Sequence, residues 1–240
     1  QVRDSDLMVL IAPYLIIGLV ILAMLIVIRM VKMPKNGDQS HNINFLPTLK
    51  RIFGIHHYRE GVIAQFFYVG AQIMCWTFII QYGTRYFMSE GMEEKAAEVL
   101  SQQYNIVAMI IFCASRFICT FILRYLSPVL PPLTAGVIGF QNIWGMYCLV
   151  GVSACMSLMF PTIYGIALQG LGDDAKFGAA GLIMAILGGS ILPPVQASII
   201  DCGTLMGMPA VNLSFILPFI CFVVIVIYGH RSYCREKMRK

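Results

Sequence analysis

Charge is what this 240-residue sequence has least of. Asp, Glu, Lys and Arg make up only 12%, against 58% hydrophobic residues and a mean hydropathy of +0.77. A soluble domain carries about 25% charged residues, so a water-soluble globule is excluded. The eight cysteines form no C-x-x-C pair, and no His stands at ligand spacing from them. That excludes a zinc or disulfide framework. The long apolar runs contain no mid-run Lys, as a retinal Schiff base would need. They also lack the Ser-His, Asp-Asp or His-rich constellation of an intramembrane enzyme: His41, His56 and His57 fall in a polar stretch and His230 at the edge of a run. The net charge of +5 does not indicate nucleic acid, because five of the seventeen basic residues lie in the last ten positions and six more between Arg29 and Arg59. Such clustering sets membrane orientation.

What is present is apolar length. Uncharged runs cover Leu7 to Ile28, Gly61 to Thr84, Val99 to Ser115, Tyr125 to Gly172, Phe177 to Ile200 and Cys202 to Gly229. A helix needs about 20 residues to cross the hydrocarbon core, so Leu7 to Val31, Val62 to Tyr82, Tyr104 to Tyr125, Gly178 to Ile200 and Ala210 to Gly229 are each predicted to span once. Tyr125 to Gly172 is too long for one crossing. Basic loops belong inside. Lys32, Lys35, Lys50, Arg51 and Arg59 place the first loop there, and Arg231, Arg235, Lys237, Arg239 and Lys240 place the tail there. Two crossings are therefore required, Pro128 to Trp144 and Met146 to Leu168. The expected organisation is a transmembrane helix at 1–31, a cytoplasmic loop at 32–60, six transmembrane helices at 61–229 and a basic cytoplasmic tail at 230–240. The chain opens with Gln1, and its first run is too long and ends too basic for a cleaved signal peptide. A piece of a longer protein is expected.

Polar residues inside the spans mark candidate function. Gln65, Tyr68, Gln72 and Trp76 fall along one helical face of the second span. Amides bond hydroxyls in both directions and an indole covers an apolar ring face, the combination a sugar needs. The alternative is that the glutamines join helices and Trp76 packs. Asn105, Met109, Phe112 and Arg116 repeat the device on the third span. Arg116 is the one charge deep in a span, and burying Arg there costs at least about 2.5 kcal/mol, so it must face a cavity, a carboxylate or carbonyls. In the fifth span Gly151, Ser153, Ala154 and Ser157 allow close packing before a kink at Phe160-Pro161, and Phe160 shares a face with Tyr164. In the sixth, Gly181, Ala185 and Gly189 precede a break expected at Pro193-Pro194. No Asp or Glu lies in mid-span, so any proton carrier must lie elsewhere.

Several words occur in order: Gln65-Phe66-Phe67-Tyr68-Val69-Gly70-Ala71-Gln72 through Trp76, Arg116-Phe117, Phe160-Pro161-Thr162-Ile163, and Gly170-Leu171-Gly172-Asp173-Asp174-Ala175-Lys176-Phe177-Gly178. Together they resemble the fucose/galactose/glucose–proton symporter family of the major facilitator superfamily. The resemblance implies an all-α integral membrane protein. Its fold would be the C-terminal six-helix bundle of such a transporter plus the preceding, sixth helix. It implies alternating access against a missing N-terminal half, in the inner (plasma) membrane of a bacterium. The function it implies is proton symport of a monosaccharide, L-fucose or a related hexose such as galactose or glucose. The partners are the sugar, the proton, membrane lipids and the other half; there is no cofactor, the proton being the coupling ion. A non-transporting sugar sensor, or a carrier of another small substrate, is the alternative. By motif, Trp76 is placed on the sugar with Gln72 and Gln65 beside it, and Phe112 faces the central cavity. Phe160 stands where the family's fucose carriers have tyrosine. Tyr68 and Asn105 join this substrate-binding set from their helical positions, while Arg116, Asp173, Asp174 and Lys176 are expected to gate or to form structural ion pairs. Between Arg116 and Phe160 the chain is shorter than the family by several residues, within the ninth-helix candidate at Pro128 to Trp144. The expectation is a short, displaced helix or a deletion.

Overall fold

The computed structural model describes residues 2–30, 51–118, 130–140, 142–201, 203–205 and 208–239. Most of the expected central loop, the stretch from Cys119 to Tyr125 that was to end the third span, and Pro128 lie outside these residues. The chain divides into two units, Gln1–Ile43 and Asn44–Lys240. The first unit is helix α1, Val2–Met30. Every described side chain on it is exposed, and an apolar helix of 29 residues, about 44 Å, suits a bilayer rather than water.

The second unit is built around α2, His56–Ser89, and α3, Glu94–Ile118. The sequence placed these helices at Val62 to Tyr82 and Tyr104 to Tyr125, and both begin earlier. Hydropathy sees only the apolar middle of a helix. The ends of α2 are polar, and Glu94 in the first turn of α3 suits the positive end of the helix dipole.

Two corrections concern prolines. The predicted span Pro128 to Trp144 does not form one helix: α4 is Leu130–Gly139, ten residues and about 15 Å, and Trp144 belongs to α5, Ile143–Met156. The Tyr82 hydroxyl donates to the Phe140 carbonyl at 2.5 Å just beyond α4. It comes that close because residue 145 is glycine, where a Cβ would stand 1.8 Å from the Tyr82 oxygen. The break expected at Pro193-Pro194 is absent, since α8, Gly188–Ile200, runs through both. The departure from α geometry lies about two turns earlier, as a 3₁₀ turn at Ala185–Leu187 after α7, Ala175–Met184. Packing holds this stretch helical: Gly188 lies on the backbone of Phe66, where a Cβ would meet the carbonyl oxygen at 2.1 Å.

The kink expected at Pro161 is present. Pro161 offers no N–H to the Ser157 carbonyl and its ring crowds that turn, so α5 ends at Met156 and α6, Met159–Leu168, starts anew. A two-residue antiparallel ladder, Thr204–Leu205 with Met208–Pro209, precedes α9, Ala210–Ser214. The last helix, α10, is Ile216–Arg239, so the expected tail at 230–240 continues the helix.

Helix α2 packs against α3, α5, α6, α8 and α10. Its residues Tyr68, Met74, Cys75, Phe78 and Tyr82 form the middle of the main core with Met146, Met156, Phe215 and Phe222. A smaller cluster of Ile52, Tyr58, Ala167, Leu171 and Leu182 closes the end that carries the basic residues. Among the described residues five segments are long and apolar enough to cross a membrane: His56–Ser89, Glu94–Phe117, Ile143–Leu168, Ala175–Ile200 and Ala210–Arg235. Seven crossings were predicted; the two not among these five are α1, whose apolar stretch is Tyr14–Val27, and α4, whose described part is too short to make one.

Candidate functional site

The predicted row on α2 is present as a helix face, but its members have different surroundings. Gln65 and Tyr68 are both 0% exposed, whereas Gln72 and Trp76 are half-buried. Tyr68 donates from its hydroxyl to the Met156 carbonyl at 2.8 Å. That carbonyl is available because α5 stops there. The Tyr68 ring meets Phe160 edge-on at 6.3 Å, and Phe160 stacks on Tyr164 at 6.3 Å and 12°.

Two turns further along α2, Trp76 stands edge-on to Phe112 of α3, with centroids 4.9 Å apart at 87°. The exposed guanidinium of Arg116 lies 5.8 Å from the Phe112 ring centre, a cation–π contact. The indole N–H donates to the Ser153 hydroxyl of α5 at 3.3 Å. Positions 68, 72 and 76 differ by four, so Gln72 comes between the two aromatic groups, which hang about 12 Å apart along the helix. The structure thus unites Tyr68 with Phe160, and Trp76 with Phe112 and Arg116, leaving a half-buried amide between.

Gln65 sits deeper, with neither amide atom hydrogen-bonded within the described residues, and the Asn105 carbonyl oxygen is likewise buried and unpaired. Such groups cost about 1–3 kcal/mol each when left without partners.

The expected gating residues lie at the basic end. Asp174 pairs with Arg51, Lys176 is exposed at the start of α7, and the side chain of Asp173 lies outside the described residues. Sequence reasoning missed the ties around them. Tyr58 donates to the Gly178 carbonyl at 2.9 Å, and Glu60 receives Arg231 at 3.1 Å and Arg235 at 2.7 Å. Ser153 had been read only as a packing residue. Its hydroxyl in an apolar run is the one sequence signal of its contact, since the neighbouring helix cannot be read from spacing.

No protein-family model matches the chain. It is 48% identical over 245 positions to the L-fucose-proton symporter of Haemophilus influenzae, a match covering 97% of this chain and 55% of that protein. It is 31% identical to the L-fucose-proton symporter of Escherichia coli, over 90% of this chain and 50% of that protein. It is 27% identical to the glucose/galactose transporter of Brucella abortus, over 90% and 52% respectively. The first match runs over more positions than the 240 this chain has, so that relative carries residues without a counterpart here. Among solved structures, the major facilitator superfamily transporter FucP in its outward conformation superposes with a TM-score of 0.76 at 29% identity, covering 92% of this chain and 54% of that one. The chain spans about half the length of the relatives it matches. By sequence along nine-tenths or more of its length and by fold, it corresponds to about half of a major facilitator superfamily transporter and is similar to the L-fucose-proton symporters.

Proposed function

We propose that the chain forms part of a secondary transporter that carries a monosaccharide, L-fucose or a related hexose, together with a proton across a bacterial inner membrane. The observation that carries this reading is the row on α2: Gln72 stands between an aromatic group at Tyr68–Phe160–Tyr164 and another at Trp76–Phe112. Aromatic planes suit the C–H faces of a sugar, and the amide between them can both donate to and accept from hydroxyls. The chain is then the C-terminal half with the helix before it, and Arg116, Asp174 and Arg51 belong to the moving parts. Proton carriage falls to residues outside the spans described, which hold no mid-span carboxylate. Alternating access follows if protonation and sugar shift the balance between inward and outward states. The residues that the Haemophilus influenzae relative carries without a counterpart here favour one second reading, a sugar sensor on the same scaffold that does not transport.

The test is uptake of labelled L-fucose, D-galactose and D-glucose by cells expressing the complete reading frame that contains this chain, with and without a protonophore, beside Trp76→Ala. Accumulation of one sugar that collapses with the protonophore and with the substitution supports the proposal. Protein in the membrane that takes up none of the three, yet binds one, supports the sensor.

A further inference from the structure

We propose that Ser153 is a positioning residue for sugar binding: it consumes the one hydrogen-bond donor of Trp76 and fixes the indole, so that Trp76 meets the ligand only through its ring. This rests on the sugar-site reading above and adds to it the division of labour within the site.

Ser153 is 1% exposed, on α5, and it touches no part of the aromatic groups other than Trp76 in the described hydrogen bonds. A serine hydroxyl has one proton to give and two lone pairs. Its proton goes to the Leu149 carbonyl one turn earlier, at 3.2 Å. The hydroxyl is therefore left as an acceptor only, and one of its two lone pairs receives the Trp76 indole N–H at 3.3 Å. An indole has no second polar hydrogen and no acceptor. The bond also holds the side chain where the ring stands at 87° to Phe112. Three consequences follow. The ring is presented in one orientation, which lowers the ordering cost of binding. Hydroxyl recognition is left to the amides, with Gln72 the half-buried one beside the ring. Selection by the indole acts on the apolar outline of the sugar, not on its hydroxyls.

A serine that merely fills space would act whatever residue stood at 76. The test is a double-mutant cycle on the complete protein in nanodiscs, with binding of labelled L-fucose measured at equilibrium and D-galactose and D-glucose run alongside. Ser153→Ala is expected to weaken binding about three- to tenfold, the reach of one hydrogen bond. Ser153→Thr, which keeps the hydroxyl, should stay within about twofold of the wild type. In a Trp76→Phe background, where there is no N–H to hold, Ser153→Ala should change nothing further. If Ser153→Ala does not reach the membrane, the near-isosteric pair Ser153→Thr and Ser153→Val makes the same comparison. Equal losses from Ser153→Ala with Trp or Phe at 76 would overturn the proposal, as would unchanged binding in Ser153→Ala while Trp76→Ala abolishes it. In that last outcome the sugar site stands and only the role of Ser153 falls. Binding of the three sugars that ignores Trp76→Ala would remove both.

Discussion

Glu60, at the start of α2, holds Arg235 near the end of α10 at 2.7 Å, and Arg231 one turn earlier shares the same carboxylate at 3.1 Å. The carboxylate is 21% exposed and the two guanidinium side chains 34% and 62%, so water weakens the pair without removing it. Glu60→Gln is expected to lower stability by about 1 kcal/mol and to loosen the last turns of α10, where two like charges would then face each other. Trypsin cleavage after Arg231 and Arg235 should quicken. High salt should bring the wild type toward the variant.

Gly188 lies against the Phe66 backbone so closely that a methyl group there would force α2 and α8 apart. Gly188→Ala should cost about 1–3 kcal/mol in thermal unfolding in detergent, since a backbone carbonyl cannot swing aside as a side chain can. Gly151→Ala is the control. Its Cβ would meet Leu133 at 3.6 Å, ordinary contact, and stability should hold.

Gln65 is fully buried, and among the described residues its amide has no hydrogen-bond partner. Gln65→Leu is expected to raise the melting temperature, by an amount corresponding to about 1–3 kcal/mol, and to reduce sugar uptake. Gain of stability with full uptake would remove Gln65 from the site.

Phe160 is half-buried, stacked on Tyr164 and edge-on to Tyr68. Phe160→Tyr, which adds a phenolic hydroxyl beside the proposed sugar site, should tighten L-fucose binding about three- to tenfold by one hydrogen bond. Melting temperature should change little, because the ring keeps its contacts.

The apolar middles of the helices were legible because hydropathy is a sum over residues and needs no partner. Their ends were not. His56 to Glu60 reads as loop until Glu60 is seen to hold α10, and Arg231 to Arg239 reads as tail for the same reason. Pro193-Pro194 reads as a break from local propensity, but the contact of Gly188 with Phe66 overrides it. At the site, periodicity put Gln65, Gln72 and Trp76 on one face correctly. It could not tell that Gln65 is enclosed while Gln72 is half-open, because a helix face changes neighbours along its length. The partnership of Trp76 with Ser153 joins residues 77 apart in the chain, and no spacing rule reaches that far.

Helices α2 and α3 contain no proline and run unbroken, whereas α5–α6 and α7–α8 are each interrupted near their middles. Trp76, Phe112 and Arg116 are therefore mounted on straight rods, and Ser153 and Phe160 on jointed ones. Trp76 stands 16 residues from Glu60, about 24 Å along a rigid shaft. A tilt of about 5° at the basic end sweeps the indole by about 2 Å, enough to draw it off the Ser153 hydroxyl. The shaft acts as a lever: a salt bridge at one end and a hydrogen bond at the other cannot both ignore a rotation between them.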